Sequence, residues 1–214
     1  SSSAASDVYK RQNGLHLHLA RFSRVAGRLP EGYVDRLMSL LHEGELFPRI
    51  ALSQGQLLLD VRSAPSPRSS TALTYAQASD PRTRPEVKGP DFAAFGAYRS
   101  RYQVEGTDDA VIVNKDGSML ETTTGALVMW DGDALCVSDG VRLPSVTLHQ
   151  VVARAETLGL PVVRRRLTPE LAAAHPLWFL NSLHGISPVS ELYVGDTVIT
   201  PCLLYTSDAA DEED

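Results

Sequence analysis

DDAVIVNKDGSMLETTTGALVMWDGDALCVSDG, residues 108–140, decides the fold class. Three short apolar runs stand in it, Ala110–Val113, Gly125–Trp130 and Ala134–Val137, with the Asp-Gly pairs Asp116-Gly117 and Asp131-Gly132 between them. Apolar runs of this length punctuated by Asp-Gly read as strands joined by tight turns. Downstream, Val146–Leu158 carries apolar residues at helical spacing. A strand over Pro161–Arg166, a short helix over Pro169–Ala174 and strands at Trp178–Leu180 and Val189–Val194 follow. Upstream, Asp91–Val104 reads as a helix, as do Leu15–Val25 and Tyr33–Leu41. Phe47–Leu52 and Gln56–Val61, split by Ser53-Gln54-Gly55, read as a hairpin, with Thr71–Ala76 as a third strand beside it. Strands and helices mix without regular βαβ alternation, which places the chain in the α+β class.

The organisation expected is a small domain over 14–76, an interdomain linker over 77–87 and a larger β-rich domain over 88–201. The linker is rich in Ser, Pro, Arg and Asp and has no lasting period. Residues 1–13 and 202–214 share no period with their neighbours; DVYKRQ and LLYTSDAADE read as translated adapter sequence, so both ends are expected to be non-native scars. With 214 residues, 43% of them hydrophobic and 21% charged, the chain has globular composition and can bury a real core. Twenty basic against 26 acidic side chains leave a net charge of −6, which argues against a broad grip on nucleic acid. No apolar run nears the roughly 20 residues that span a bilayer. Cys136 and Cys202 form no disulfide framework, in keeping with a cytoplasmic protein.

G-x-G-x-x-G, G-x-x-x-x-G-K, H-E-x-x-H and G-x-S-x-G are absent. His16 and His18, two apart on a helix, point to different sides and cannot share an ion, so no metal is expected. Arg164-Arg165-Arg166 reads as a solvated strand edge. By themselves Lys88 is a linker lysine beside a glycine and Glu121 a glutamate at a strand end. Ser145 or Thr147 caps the helix that follows.

Five stretches together change this reading: HLARF (18–22), PEVKGPDF (85–92), DDAVIVNKDGSMLETTTGAL (108–127), RLPSVT (142–147) and NSLHGISPV (181–189). In this order the chain, from about Gly14 to Thr200, resembles the class IV, fold type IV, pyridoxal-phosphate enzymes. These include branched-chain and D-amino-acid aminotransferases and 4-amino-4-deoxychorismate lyases. The resemblance implies that Lys88 holds the cofactor as a Schiff base, a task for a lysine whose amine loses its proton readily on burial. It implies that Glu121 faces the pyridine nitrogen and keeps it protonated. It implies a phosphate site from Arg21, Val146, Thr147 and Ser182, with Thr123 and Thr124 as further contributors, and Asn181 and His184 on the substrate side. Two departures stand out: Glu121 is followed by Thr122-Thr123-Thr124 where many relatives have Gly, and Asp91 stands where many have Asn or Gly.

The expected protein is thus a homodimeric aminotransferase moving an amino group between an amino acid and a 2-oxo acid. The alternative is an aminodeoxychorismate lyase releasing p-aminobenzoate and pyruvate, and a second alternative is a truncated, catalytically impaired fragment.

Overall fold

The computed structural model describes residues 14–40, 46–63, 65–66 and 68–202. The two expected scars, apart from Cys202, and Leu41 of the second expected helix lie outside the described residues. The chain divides into two compact units, Ser1–Pro67 and Arg68–Asp214.

The first unit contains helices α1 (Leu15–Ala26) and α2 (Tyr33–Leu40) and the antiparallel pair β1 (Leu46–Ser53) and β2 (Gln56–Ser63). Leu15 and Leu19 recur four residues apart on α1 and bury with Leu37 of α2 against Ile50 and Leu59 of the hairpin. Gly27 ends α1 at φ 87°, its N–H bonded to the Ser23 carbonyl at 3.0 Å. Ser53 pairs with Gln56, so Gln54 and Gly55 are the two turn residues, at φ 50° and 77°. Positive φ at both suits the right-handed twist of the strands they join.

The second unit is built on a nine-stranded sheet in the order β5-β4-β3-β10-β9-β6-β7-β8, with β11 paired to β10. Its strands are β3 (Thr71–Tyr75), β4 (Asp109–Val113), β5 (Met119–Thr122), β6 (Ala126–Asp131), β7 (Ala134–Ser138), β8 (Val162–Arg165), β9 (Leu177–Asn181), β10 (Gly185–Val194) and β11 (Thr197–Ile199). Helices α3 (Phe92–Tyr102), α4 (Val146–Thr157) and α5 (Pro169–Ala172) complete it. The sheet curls until its two ends meet: Met119 of β5 donates its N–H to the Leu167 carbonyl, just past β8, at 2.7 Å. β10 makes the curl possible. Its first residues pair with β9 and its later ones run parallel to β3, with Pro188 and a register shift at the changeover.

Strand alternation sorts the side chains into two layers. Leu127, Met129, Leu177 and Phe179 face the inside of the curl with Leu73, Val111 and Leu192. Their neighbours Val128, Leu135, Trp178 and Leu180 face Leu148 and Ala155 of α4. Ala110, Ile112 and Leu120 pack beside Tyr98 of α3. Strands buried on both faces read as unbroken apolar runs, which is why Ala110–Val113 and Ala126–Met129 were legible.

The boundary between units falls before Arg68, not after Ala76. Thr71–Tyr75 is a central strand of the larger sheet, held on both edges by parallel partners, β4 and β10. Its polar residues were the misleading signal, and both are buried and paired: Thr71 Oγ1 lies 2.6 Å from Ser187 Oγ and Thr74 Oγ1 2.9 Å from Thr107 Oγ1. Residues 77–87 belong to this second unit as well. β5 runs over Met119–Thr122, where the sequence showed only a strand end at Glu121, β11 is a strand where none was expected, and β10 begins four residues before Val189.

Candidate active site

Lys88 is an exposed residue of an arch over 82–91 that is fastened at both ends. At its end, Asp91 is buried and precedes α3 without capping it. Its carboxylate turns back instead to accept the Thr83 N–H at 3.0 Å, the Thr83 hydroxyl at 2.6 Å and the Arg84 N–H at 3.0 Å. Burial works to raise the Asp91 carboxyl, but these three bonds and nearby Arg82 outweigh it, and the group sits below its ordinary 3.8. Gly89, next to Lys88, has φ 121°, where a side chain is strained. At the start of the arch, the Arg82 guanidinium grips both oxygens of Asp80, at 2.9 and 2.7 Å, and donates to the Val141 carbonyl at 3.0 Å. Its remaining partner is Glu121 Oε1, at 2.7 Å.

Glu121, on β5, is only 5% exposed. Arg82 holds one carboxylate oxygen and the Leu143 N–H donates to the other at 3.1 Å. Burial pushes this carboxyl above its ordinary 4.5; Arg82 and the Leu143 amide pull it part of the way back. Burial also works against the Arg82 charge, yet its bonds to Asp80 and Glu121 hold that charge more firmly than in water. The pair is therefore an ionic clamp in a low-dielectric setting, with each oxygen of Glu121 pinned.

The turn after Glu121 is tied down by a carboxylate. Asp109, fully buried, accepts the hydroxyls of Thr123 and Thr124 and, at 3.0 Å, the Thr124 N–H. Arg99 of α3 adds a bond to the Thr123 hydroxyl at 2.7 Å. Both threonine hydroxyls are thus engaged within the protein. Gly125 closes this turn because a Cβ there would come within 2.6 Å of the Leu180 carbonyl and of the Phe179 ring.

Ser145 is the N-cap of α4, its hydroxyl accepting the Leu148 N–H at 3.2 Å. Two residues on, Thr147 Oγ1 lies 3.4 Å from Ser182 Oγ, so two hydroxyls meet at a helix start whose first amides have no intrahelical acceptor. Asn181 organises the turn bearing Ser182. Its Oδ1 accepts the N–H groups of Leu183 and His184 at 3.1 and 2.7 Å, and its Nδ2 donates to the Thr124 carbonyl at 3.4 Å. His184 is half-buried, and its Nδ1 is buried without a hydrogen-bond partner.

A closed chain of contacts therefore links four sequence motifs. The Lys88 arch reaches Glu121 through Arg82, Glu121 reaches the approach to α4 through Leu143, Thr147 reaches Ser182, and Asn181 reaches back to the turn after Glu121. Arg21 lies in the first unit, on α1, where burial and then Arg24 lower its hold on the proton. Sequence reasoning missed Arg82, Asp109 and the Leu143 amide. Asp80-Pro81-Arg82 was read as linker composition; only the pairing of a buried carboxylate with a basic residue upstream could have singled it out.

The donor set fits pyridoxal phosphate. A buried, doubly anchored carboxylate suits a protonated pyridine nitrogen, and a hydroxyl pair at a helix N-terminus suits a phosphate. Lys88 supplies an accessible amine on a fastened arch.

Comparison with known proteins agrees with this geometry. The family profile described as amino-transferase class IV matches residues 10–192. No curated protein sequence matches the chain. Among solved structures, the chain is similar to 4-amino-4-deoxychorismate lyase from Pseudomonas aeruginosa, with 19% identity and a TM-score of 0.69 over 91% of this chain and 83% of that one. It is similar to the branched-chain aminotransferase of the archaeon Thermoproteus uzoniensis solved with norvaline, with 15% identity, a TM-score of 0.67, and coverage of 85% and 71%. It is also similar to a T.th. branched-chain amino acid aminotransferase complexed with N-(5'-phosphopyridoxyl)-L-glutamate, with 16% identity, a TM-score of 0.69, and coverage of 87% and 74%. At these identities the solved structures speak for the fold, while the profile spans most of the chain. The chain belongs to the class IV aminotransferase family of pyridoxal-phosphate-dependent enzymes, a family that contains both transaminases and lyases.

Proposed function

We propose that the protein is an aminotransferase that moves an amino group from an amino acid to a 2-oxo acid, with Lys88 as its catalytic residue. The observation that carries the reading is the Glu121 carboxylate, buried and pinned on both oxygens by Arg82 and the Leu143 amide. When bound, pyridoxal phosphate supplies an electron sink for the substrate α-carbon. Glu121, held anionic by Arg82, keeps a proton on the pyridine nitrogen so that the ring can serve as that sink. Lys88 Nζ would hold the cofactor through its aldehyde carbon and would take the proton from the substrate Cα. Thr147, Ser182 and the Val146 amide take the phosphate, with Arg21 assigned to the same group by the resemblance alone. Thr123 and Thr124 serve by holding the turn behind Glu121, through Asp109. Asn181 shapes the substrate side, where His184 offers a ring nitrogen. A homodimer, implied by the same resemblance, belongs to this proposal.

The test is an absorbance spectrum of the purified chain with pyridoxal phosphate, followed by borohydride reduction and peptide mapping. The expected result is a visible band, label on Lys88, and loss of both in Lys88→Ala. A well-folded protein that shows no band overturns the assignment. Given the band, conversion of the bound cofactor to its aminated form by an amino acid, reversed by a 2-oxo acid, supports the aminotransferase. Pyruvate released from aminodeoxychorismate without an amino acceptor makes it the lyase instead.

A further inference from the structure

The basic run Arg164-Arg165-Arg166, on and just past β8, is not one uniform solvated edge. Arg165 pairs with Asp131 at 2.7 Å and Arg166 with Asp116 at 2.9 Å. Arg164 turns to the backbone instead, where its Nη2 donates to the Asp139 carbonyl at 3.2 Å. That carbonyl opens the segment 139–143, which carries a further arginine. Arg142 is half-buried, and its Nε is buried without a hydrogen-bond partner. Among the described residues, no carboxylate stands at ion-pair distance from Arg142 or Arg164. Two neighbouring cations left without a counter-charge, in a chain of net charge −6, call for a ligand that supplies one.

The segment 139–143 lies at the seam of the curled sheet. β5 and β8, its two end strands, meet in a single antiparallel bridge from Met119 to Leu167. Continued, that register would set Glu121 opposite Arg165, but the segment ties the two strands instead. The Asp139 N–H donates to the Arg165 carbonyl at 3.1 Å, Gly140 packs against the Leu120 side chain, and the Leu143 N–H reaches Glu121 at 3.1 Å. Arg82 holds the Val141 carbonyl at 3.0 Å. The backbone is thus fastened at 139, 141 and 143, and Arg142 is fixed between β8 and Glu121. Burial, and then the charge of Arg164, loosen the hold of Arg142 on its proton, while Glu121 strengthens it. The two guanidinium groups are therefore close enough to repel, and both oxygens of Glu121 are already taken by Arg82 and the Leu143 amide. A tetrahedral dianion between them would answer both charges and give the idle Nε–H an acceptor, where a single carboxylate would answer only one.

We propose that Arg142 and Arg164 form a binding site for a phosphate dianion at the seam of the sheet, built from residues that the cofactor assignment does not use. The site goes beyond the functional reading above and does not depend on it. The dianion has two sources, free inorganic phosphate and the phosphate of a monoester, and the experiment separates them.

The test is calorimetric titration of the full chain, loaded with pyridoxal phosphate and freed of excess cofactor, with inorganic phosphate and separately with glycerol 3-phosphate at constant ionic strength. Saturable binding is expected, weakened about tenfold or more in Arg142→Gln and in Arg164→Gln by loss of charged hydrogen bonds. Arg165→Gln, which removes a charge that Asp131 already answers, is expected to change the affinity less than about twofold. Arg142→Lys, which keeps the charge but not the fork, should fall between the parent and Arg142→Gln. Together with exposed Arg164, it carries the test if Arg142→Gln is poorly folded. Tighter binding of the free ion names it as the ligand, tighter binding of the ester names a monoester, and both support the site. No saturable binding of either, or equal losses in Arg165→Gln and Arg142→Gln, overturns the proposal. The cofactor-free chain keeps the outcome apart from that of the functional reading. Phosphate binding lost there in Thr147→Ala but kept in Arg142→Gln assigns the ion to the start of α4 and also overturns the proposal. Binding kept in Thr147→Ala and lost in Arg142→Gln upholds it, even for a chain that shows no cofactor band.

Discussion

Arg82 and Asp91 act on the Lys88 arch from its two ends, and they do so by different physics. Arg82 is an electrostatic hub whose side chain is 2% exposed, so its charge is tolerable only because Asp80 and Glu121 both answer it. Asp91 is a hydrogen-bond latch, and its pH behaviour follows from its depressed carboxyl. A group whose folded value lies below its unfolded value stabilises above the unfolded one, and that contribution is lost as pH falls through the folded value. Asp91→Ala should therefore lower stability by about 1–2 kcal/mol near neutrality, from the lost bonds. The gap between Asp91→Ala and the parent should shrink as pH drops below the ordinary 3.8. Urea titrations of both proteins between pH 7 and pH 3 check this, and a gap that widens in acid contradicts the latch. Glu121 has the opposite sign. Its raised carboxyl means that the contribution to stability is present below 4.5 and is lost as pH rises through the folded value, a cost accepted at the site for the sake of a buried anion.

At the scale of elements, the hairpin β1–β2 and the strand β10 show where local rules hold and where they yield. The two-residue turn Gln54-Gly55 demands positive φ at both positions, and Gln is a poor choice for the first. Gln54→Asn should stabilise the first unit by roughly 0.5 kcal/mol, because Asn enters this region more readily. A rise in the thermal midpoint of the full chain, with no change in cofactor absorbance, is the expected observation; a fall would mean that the turn is not of this type. β10 obeys no simple pattern because its two halves answer to different partners, β9 and then β3. Pro188, which normally argues against a central strand, sits where the strand changes neighbours.

For the whole molecule, the second unit carries the Glu121 clamp, the Lys88 arch and the hydroxyl pair, together with three separate hydrophobic clusters. A polypeptide of residues 68–202 should therefore unfold cooperatively and keep near-ultraviolet circular dichroism from the edge-to-face pair Trp130 and Trp178, whose ring centroids are 5.2 Å apart. A broad, non-cooperative transition would show that the first unit is needed for the sheet to form. Among the described residues, no helix is long and apolar enough to cross a membrane.

The sequence by itself determined the elements whose signals are local. Helices α1, α2 and α4 follow from apolar spacing, β4, β6 and β7 from apolar runs between Asp-Gly turns, and the family from five short motifs in order. Those motifs also named Lys88, Glu121, Thr147 and Ser182. Tertiary structure alone decided what long-range pairing controls. Thr71–Tyr75 joined the larger sheet because β4 and β10 satisfy its edges, and no residue within it announces those partners. Arg82 became the partner of Glu121 across 39 positions. Thr123 and Thr124 turned toward Asp109, and Arg68 stacked on the Phe179 ring. Each of these depends on which buried charges and donors find one another once the sheet has curled, and that matching is a property of the folded chain, where water no longer satisfies the groups left over.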